Sequence, residues 1–223
     1  MSSVLLLRHG ETDWNRQGRM QGRGDSPLTL RGMAQADALA RAAALLGVRR
    51  VLASPLGRAG ATAERVAAAA GCPLELRDAL VEMDFGQVAG MTLDEVREKR
   101  PGLLEDRDND RWNHRWPGGE SYADVLARLE TGLADDLPLR TQAPTAIVAH
   151  QSVNRALLTW LASAPGAALA GTQPPNVILR VDEDGGVWHM RVCEGPHAPM
   201  LDWWAGPFRR AVAPVRERLK KAA

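Results

Sequence analysis

Short apolar runs alternate with amphipathic stretches along most of the chain. Four runs are bounded by polar residues and have the length of buried strands, namely 4–7, 49–53, 74–76 and 145–149. Between and after them, apolar residues recur with helical spacing from about 31 to a cap at Gly47, and over about 56–70, 121–137 and 153–162. A shorter helix is predicted from a cap at Thr92 to Pro101.

Near the carboxyl end the pattern changes to strict alternation. Residues 177–181 and 187–192 alternate around Asp184-Gly185-Gly186, which is typical of an antiparallel hairpin. The order of strands and helices predicts an α/β fold of three layers. Its central sheet is mostly parallel, with helices on both faces and the hairpin at one edge.

No internal repeat or linker divides the chain, so residues 1–223 are predicted to form a single domain. Residues 202–223 differ from the rest, since they hold Trp203, Trp204 and Phe208 followed by a basic end. This C-terminal arm fits an interface arm, a lid or a tail whose last residues fray. Its aromatic pair leaves a homodimer open.

Two long polar stretches, 10–30 and 105–120, are predicted to be functional loops. The second carries Trp112, His114, Arg115 and Trp116. These side chains could stack on a sugar or a base, or could pack a lid; packing is the commoner fate of loop aromatics.

Composition excludes several classes of partner. The 223 residues are 45% hydrophobic and 25% charged with a net charge of +1, which gives no reason to expect nucleic acid or a membrane as partner. Cys72 and Cys193 match no metal-binding spacing and suit a reduced compartment. We expect a cytoplasmic protein without signal peptide, membrane span, metal or other cofactor.

Polar residues with chemical potential follow the predicted strands. They are Arg8, His9, Arg58, Glu82 and His150. Each alone has an ordinary explanation, because an Arg or Glu is usually solvated and a lone His after a strand is usually a core residue. Together they belong to one edge of the sheet, where α/β folds bind their ligands.

Such a cluster suits phosphoryl chemistry. Two guanidiniums match phosphoryl oxygens, and helix N-termini after Ser54 and His150 add N–H donors. Neighbouring cations keep an imidazole neutral and therefore nucleophilic, and one carboxylic acid can protonate the leaving oxygen and later activate water. No Walker-type motif and no carboxylate cluster suited to Mg²⁺ occurs in the sequence.

An ordered set of motifs resembles the histidine phosphatase superfamily, the phosphoglycerate-mutase-like proteins. An Arg-His-Gly tripeptide alone is a weak signal, but the set extends over about residues 4–160 in the family's order. It comprises Leu7-Arg8-His9-Gly10-Glu11-Thr12-x-Trp14-Asn15, Gly18-Arg19-x-Gln21-Gly22, Asp25-Ser26-Pro27-Leu28-Thr29, Ser54-x-Leu56-x-Arg58-Ala59-x-x-Thr62-Ala63, Glu82-Met83-Asp84-Phe85-Gly86, Gly118-Gly119-Glu120-Ser121 and Val148-Ala149-His150.

The resemblance implies a role for each matched residue. His9 becomes a transient phosphohistidine and Glu82 the proton donor, while the phosphoryl group is bound by Arg8, Arg58 and His150, with further contacts from Asn15, Gln21, Gly22 and Gln151. Two departures concern specificity. Gln151 stands where relatives usually have Gly, and Val88-Ala89 replaces a common Trp-Glu in the pocket wall.

Within that family the chain is most similar to the phosphatases. The mutases carry Glu-Arg-His-Tyr-Gly and an Arg-Arg-Ser segment, both absent before Gly118. The expected activity is metal-independent hydrolysis of a small phosphorylated metabolite by double displacement. The alternatives are mutase-type phosphotransfer and non-catalytic binding of a phosphate ester. Candidate substrates, left unranked, are phosphoglycerate derivatives, sugar phosphates and nucleoside-like phosphates such as α-ribazole phosphate.

Overall fold

A computed structural model of the protein describes residues 3–136, 144–162, 172–182, 187–191 and 203–205. The strands are β1 (Ser3–Arg8), β2 (Arg50–Ala53), β3 (Leu74–Leu76), β4 (Thr145–Ala149), β5 (Val177–Asp182), β6 (Val187–Arg191) and β7 (Trp203–Ala205). The helices are α1 (Asp13–Arg16), α2 (Leu30–Leu45), α3 (Gly57–Ala70), α4 (Leu93–Lys99), α5 (Leu103–Asn109), α6 (Tyr122–Gly132) and α7 (Gln151–Ala162). Two single 3₁₀ turns lie at Asp78–Leu80 and Gly86–Val88.

All seven strands join one sheet in the order β3-β2-β4-β1-β5-β6-β7. The first four are parallel, and β5, β6 and β7 continue the sheet by antiparallel pairing. The predicted α/β class, with a parallel centre and an antiparallel hairpin towards one edge, is confirmed. The added edge strand β7 was not predicted, because three residues are too few for an alternation signal.

Strand β1 divides the apolar core into two layers. Leu5 and Leu7 pack with residues of α2 and α3, whereas Val4 and Leu6 pack with residues of α6 and α7. Successive side chains of a strand point to opposite faces, so an unbroken apolar run is what a strand covered on both faces requires. The helices therefore lie on both sides of the sheet, as predicted.

The strand register brings distant polar residues to one edge of the sheet. Arg8 pairs with Ala149 across β1 and β4, and Ala53 pairs with Val148 across β2 and β4. Since these three strands are parallel, the residues that follow them, His9, Ser54 and His150, emerge side by side. This edge is where an open α/β sheet binds ligands.

Gly10 is needed where the chain leaves β1, because the first turn of α2 lies directly against it. A Cβ on Gly10 would overlap the backbone of Gly32, and a Cβ on Gly32 would overlap the backbone of Glu11. The two glycines let the backbones approach closely, which holds the loop after His9 against α2.

Several boundaries differ from those predicted. Helix α5 occupies the first part of the predicted 105–120 loop, where Leu103 and Leu104 pack against the core but are too few to make a periodic pattern. Helix α7 begins at Gln151 rather than near 153, and α6 ends at Gly132 rather than near 137. Leu133 is still buried beyond that end, so the apolar pattern outlasts the helix.

The expectation that Val88-Ala89 changes the pocket wall is not met by Val88. Its side chain is fully buried in the core layer of α6 and α7, and Ala89 is exposed beside it.

The loop aromatics pack against the protein itself. Trp116 is buried, and the Trp112 ring stacks on Tyr122 with centroids 5.8 Å apart. Packing rather than stacking on a ligand is thus what these two rings do in the structure.

Within the part of the chain that the structure describes, no helix is long and apolar enough to cross a membrane. The turn at 184–186, Cys193 and the arm after residue 205 lie outside the described residues.

Candidate active site

The His9 ring is held in one tautomer by the backbone. Its Nδ1 lies 2.8 Å from the carbonyl oxygen of Gly10, which can only accept, so Nδ1 carries the proton and donates. The other nitrogen, Nε2, then has a free lone pair, and it accepts from Arg58 Nε at 3.3 Å. The orientation therefore presents a neutral, nucleophilic nitrogen at the sheet edge.

Arg58 is buried and fixed by carbonyl groups of the loop after α1. Its Nη2 donates to the Gly22 oxygen at 2.8 Å and its Nη1 to the Gly24 oxygen at 2.7 Å. Nη1 also forms an ion pair with Asp25 at 2.9 Å. A guanidinium bound on several sides has one geometry, so Arg58 is preorganised next to His9.

His150 lies beside His9, with the two ring centroids 5.1 Å apart. Its Nε2 is 2.8 Å from the Ser54 hydroxyl. That hydroxyl oxygen also accepts from the backbone N–H of Leu56 at 3.3 Å, which leaves its hydrogen free to point at His150. If Ser54 donates to Nε2, the proton of His150 resides on Nδ1, which is buried with no hydrogen-bond partner among the described residues. An Nδ1–H at that place suits an anionic oxygen.

Replacing Ser54 by Ala therefore tests a positioning role. Ser54→Ala removes the donor to Nε2 and lets His150 change tautomer, so we expect kcat to fall by about tenfold, the effect of one weakened neutral hydrogen bond. The pH profile of kcat should also shift, and Ser54→Thr, which keeps the hydroxyl, should restore both. An unchanged pH profile in Ser54→Ala would show that the hydroxyl only fills space.

Arg8 enters the same region from the end of β1. Its Nη1 donates to Gln151 Oε1 at 3.0 Å and to the Gln173 carbonyl at 2.9 Å, while its buried Nε has no partner among the described residues. Burial lowers the pKa of Arg8 to about 10, and the carboxylate of Glu82 opposes that shift. Arg8 thus stays charged at neutral pH, with an unused donor suited to an anion.

Glu82 is buried in the loop after β3. Its Oε1 accepts from the Met83 N–H at 2.8 Å, and its charge acts on Arg8. The loop is supported from below by Gly22, whose φ of +55° brings its backbone against Met83 and Phe85. One carboxyl group therefore lies close to the two arginines and the two histidines.

The predicted phosphate contacts Asn15 and Gln21 are engaged within their own loop. Asn15 Oδ1 accepts from the Thr12 N–H, and Gln21 Nε2 donates to the Thr12 hydroxyl at 2.7 Å. Gln21 Oε1 accepts from Ser26. Asn15 also lines a cavity of about 270 Å³ that Arg8 borders. The structure places Asn15 beside Arg8, while it shows Gln21 as a tie within the loop; their predicted phosphate contacts stay predictions.

Burial is the main electrostatic influence on both histidines. It lowers the pKa of His9 and of His150 well below the usual value, and Arg8 and Arg58 lower both further. The sequence predicted this direction for His9 from the cations alone, whereas loss of solvation is the larger cause. Both rings are neutral at physiological pH.

A stability prediction follows from these lowered pKa values. Between the lowered folded values and about 6.5, the unfolded chain binds protons that the folded chain does not. The free energy of unfolding should therefore fall as the pH falls below about 6.5, by up to about 1.4 kcal/mol per pH unit for each histidine. Urea unfolding at several pH values between 5 and 7 measures this slope.

His150→Gln and, separately, His9→Gln should each reduce that slope by about one proton. Carboxylates do not contribute in this window, since the arginine partners of Glu75 hold its pKa at about 2. Equal slopes in wild type and both variants would contradict the buried neutral state of the histidines.

The structure brings Arg8, His9, Arg58, Glu82, His150 and Gln151 together, as the sequence predicted. Their contacts place a nucleophilic nitrogen, two cations and a carboxyl group around two unpartnered buried donors. Such a set can bind a phosphoryl group, accept it on nitrogen and exchange a proton with the ester oxygen. Among the described residues, no group of three or more His, Cys, Asp or Glu side chains is placed to hold a metal ion.

Three supporting residues were not predicted as parts of the site. Asp25 pairs with Arg58, Ser54 bonds His150, and Gln173 accepts from Arg8 while its side chain donates to the Leu6 and Val177 carbonyls. Ser54 and Asp25 lie inside the quoted motifs, which was a usable signal. Gln173 precedes β5 in a stretch without a pattern, so nothing in the sequence marked it.

Comparison with known proteins gives matches over most of the chain. The family model of the histidine phosphatase superfamily (branch 1) matches residues 4–194. The probable phosphoglycerate mutase GpmB of Enterobacter sp. (strain 638) is 34% identical over 189 residues, which is 84% of this chain and 88% of that protein. The protein of the same name from Salmonella paratyphi B matches to the same extent.

Solved structures with this fold include phosphatases. The mycobacterial glucosyl-3-phosphoglycerate phosphatase in complex with VO3 superimposes with a TM-score of 0.75 and 26% identity, covering 92% of this chain and 97% of that chain. The α-ribazole phosphatase of Shigella flexneri gives a TM-score of 0.73 and 26% identity, covering 90% of this chain and 100% of that chain.

Proposed function

This chain belongs to the histidine phosphatase superfamily, branch 1, and we propose that it is a metal-independent phosphomonoesterase. Its substrate is a small phosphorylated metabolite, hydrolysed by double displacement through a phosphohistidine at His9. The observation that carries this proposal is the His9 tautomer, since Gly10 holds the proton on Nδ1 and Nε2 faces Arg58 with its lone pair.

In the first step, His9 Nε2 attacks phosphorus. The new P–N bond forms as the P–O bond to the leaving group breaks, and Glu82 in its acid form gives its proton to the leaving oxygen. Arg8, Arg58 and the Nδ1–H of His150 hold the phosphoryl oxygens. Because these donors are already fixed by protein contacts, little reorganisation is needed as charge develops.

In the second step, water replaces the alcohol. The carboxylate of Glu82 takes a proton from the water, whose oxygen bonds to phosphorus as the P–N bond breaks. Inorganic phosphate leaves and His9 and Glu82 return to their starting states. The cationic side chains compensate the phosphoryl charge, which is why we propose that no metal takes part.

A mutase is the second candidate, favoured by the names of the GpmB relatives at 34% identity. In a mutase the phosphoryl group on histidine returns to a second hydroxyl of the product rather than to water. Against this, the chain has Glu82-Met83-Asp84-Phe85-Gly86 and lacks the Arg-Arg-Ser segment of the mutases before Gly118.

One assay separates the two activities. The protein is incubated with 3-phosphoglycerate and a trace of 2,3-bisphosphoglycerate in excess EDTA, and both free phosphate and 2-phosphoglycerate are measured. A phosphatase releases phosphate with little isomerisation and without loss in EDTA. Isomerisation without phosphate release would establish the mutase, and activity abolished by EDTA would contradict metal independence. Binding of the ester without turnover would support a non-catalytic role.

A further inference from the structure

A second group of arginines surrounds Tyr122 at the start of α6. Arg155 Nη1 donates to the Tyr122 hydroxyl at 2.8 Å. The Arg107 guanidinium lies over the Trp116 ring, 5.0 Å from its centroid. Arg107 also feels the charges of Arg111 and Arg155, so the three cations form one cluster.

This arginine cluster continues from the phosphoryl site. Gln151, which bonds Arg8, lies four residues before Arg155 in α7, so the two share a helix face. Helical side chains lean towards the helix N-terminus, which here is the end at the phosphoryl site. Consistent with that direction, the charge of Arg155 acts on Arg8.

The cluster is poorly compensated by acids. Arg107 pairs with Asp108 at 3.3 Å, but its own side chain is 15% exposed whereas that of Asp108 is 71% exposed, so solvent screens the pair. Burial lowers the pKa of Arg107, and the charge of Arg111 lowers it further. Gathering like charges away from water is unfavourable unless an anion joins them.

Two buried donor atoms in the same segment have no hydrogen-bond partner among the described residues. They are Arg111 Nε and His114 Nε2. Rigid aromatic rings support the segment, since Trp112 stacks on Tyr122 and His114 meets Trp116 edge-on. The donors are therefore held in place rather than free to turn towards water.

We propose that Arg107, Arg111 and Arg155 form a second anion subsite, which binds a carboxylate or phosphate group carried by the same molecule as the reacting phosphoryl group. The substrates are then phosphomonoesters with a second anionic group near the ester, rather than neutral alkyl or aryl phosphates. This inference rests on the proposed function for the reacting group alone. The second subsite makes no covalent contribution to the reaction.

A matched pair of esters tests the subsite. 3-Phosphoglycerate and glycerol 3-phosphate share a carbon chain and differ in a carboxylate against a hydroxymethyl group, so their kcat/KM ratio isolates the second anion. We expect the wild type to prefer 3-phosphoglycerate by about tenfold or more, the effect of one charge-assisted contact. Fructose 1,6-bisphosphate against fructose 6-phosphate tests a phosphate at the same place.

Arg111→Gln should remove most of that preference while changing kcat/KM for glycerol 3-phosphate by less than about twofold. Arg111→Lys should keep part of the preference, because the charge remains but the planar fork is lost. Arg97→Gln, which removes an exposed arginine of α4, is the control for loss of one positive charge and should leave the ratio unchanged.

Two results would overturn the subsite. One is equal kcat/KM for the anionic and neutral members of both pairs; the other is an Arg111→Gln variant that loses activity equally on all four esters. If no ester is hydrolysed, the proposed function fails, and calorimetric binding of the same pairs decides the subsite separately. The subsite then stands only if 3-phosphoglycerate binds more tightly than glycerol 3-phosphate and Arg111→Gln removes the difference.

Discussion

His9→Ala should reduce phosphate release from any phosphomonoester by roughly 10⁵-fold or more, as expected when a covalent nucleophile is removed. Since Arg58 Nε donates to His9 Nε2, the variant loses the attacking atom but keeps the Arg58 contacts with Gly22, Gly24 and Asp25. The phosphoryl site should therefore still bind inorganic phosphate. The measurement is a single-turnover assay of phosphate release, with calorimetry for binding.

The control for this variant is the integrity of the fold. His9→Ala leaves a small cavity between α2 and the sheet edge, so circular dichroism and thermal unfolding accompany the assay. A folded variant that keeps more than about one hundredth of the wild-type rate would show that the nucleophile is another group.

Glu82→Gln should have an effect that depends on the leaving group. For an alkyl phosphate, whose alkoxide leaves poorly, loss of the proton donor should cost about 10²- to 10⁴-fold in kcat. For p-nitrophenyl phosphate the leaving phenolate needs no proton, so the first step should slow by less than about tenfold. The amide keeps the hydrogen bond from Met83 N–H, so the loop geometry should hold.

Asp84→Asn provides the matched control for Glu82→Gln. Asp84 lies two residues further along the same loop, where its Oδ1 accepts from the Gly86 N–H and its charge pairs with Arg23 at 3.7 Å. We expect its rates to stay within about threefold of wild type, the scale of an exposed ion pair. Equal losses on alkyl and nitrophenyl phosphates in Glu82→Gln would contradict proton donation by Glu82.

The main parts of the site were predictable because parallel strands share one carboxyl edge. Once the apolar runs of β1, β2 and β4 are recognised, the polar residues after them must lie near each other. Arg8, His9 and His150 are therefore predictable from pattern alone. The motifs add Arg58 and Glu82, which sit on the first turn of α3 and in an irregular loop.

The hydrogen bonds that orient these groups could not be predicted. The Arg58 contacts depend on how the loop after α1 folds back over α3, and the His150 tautomer depends on a hydroxyl shared with the Leu56 N–H. Both are properties of the tertiary structure. Sequence spacing contains no signal for them.

The arginine cluster shows the same limit over a longer range. Arg107 and Arg111 belong to a stretch predicted as a loop, although α5 covers its first part, and Arg155 lies on α7. Charged residues in a short amphipathic helix resemble a solvated loop in the sequence. Only the packing of that segment on Tyr122 brings the three charges together.

The central claim is that the phosphoryl group passes through His9. The most direct measurement is rapid quenching of the enzyme with a phosphomonoester in EDTA, followed by intact-mass analysis and peptide mapping. The account predicts a mass increase of one phosphoryl group on the peptide that contains His9, stable in base, lost in acid and absent from His9→Ala. Turnover with no such adduct in Glu82→Gln, where hydrolysis of the intermediate is slowed, or an adduct on another residue, would contradict it.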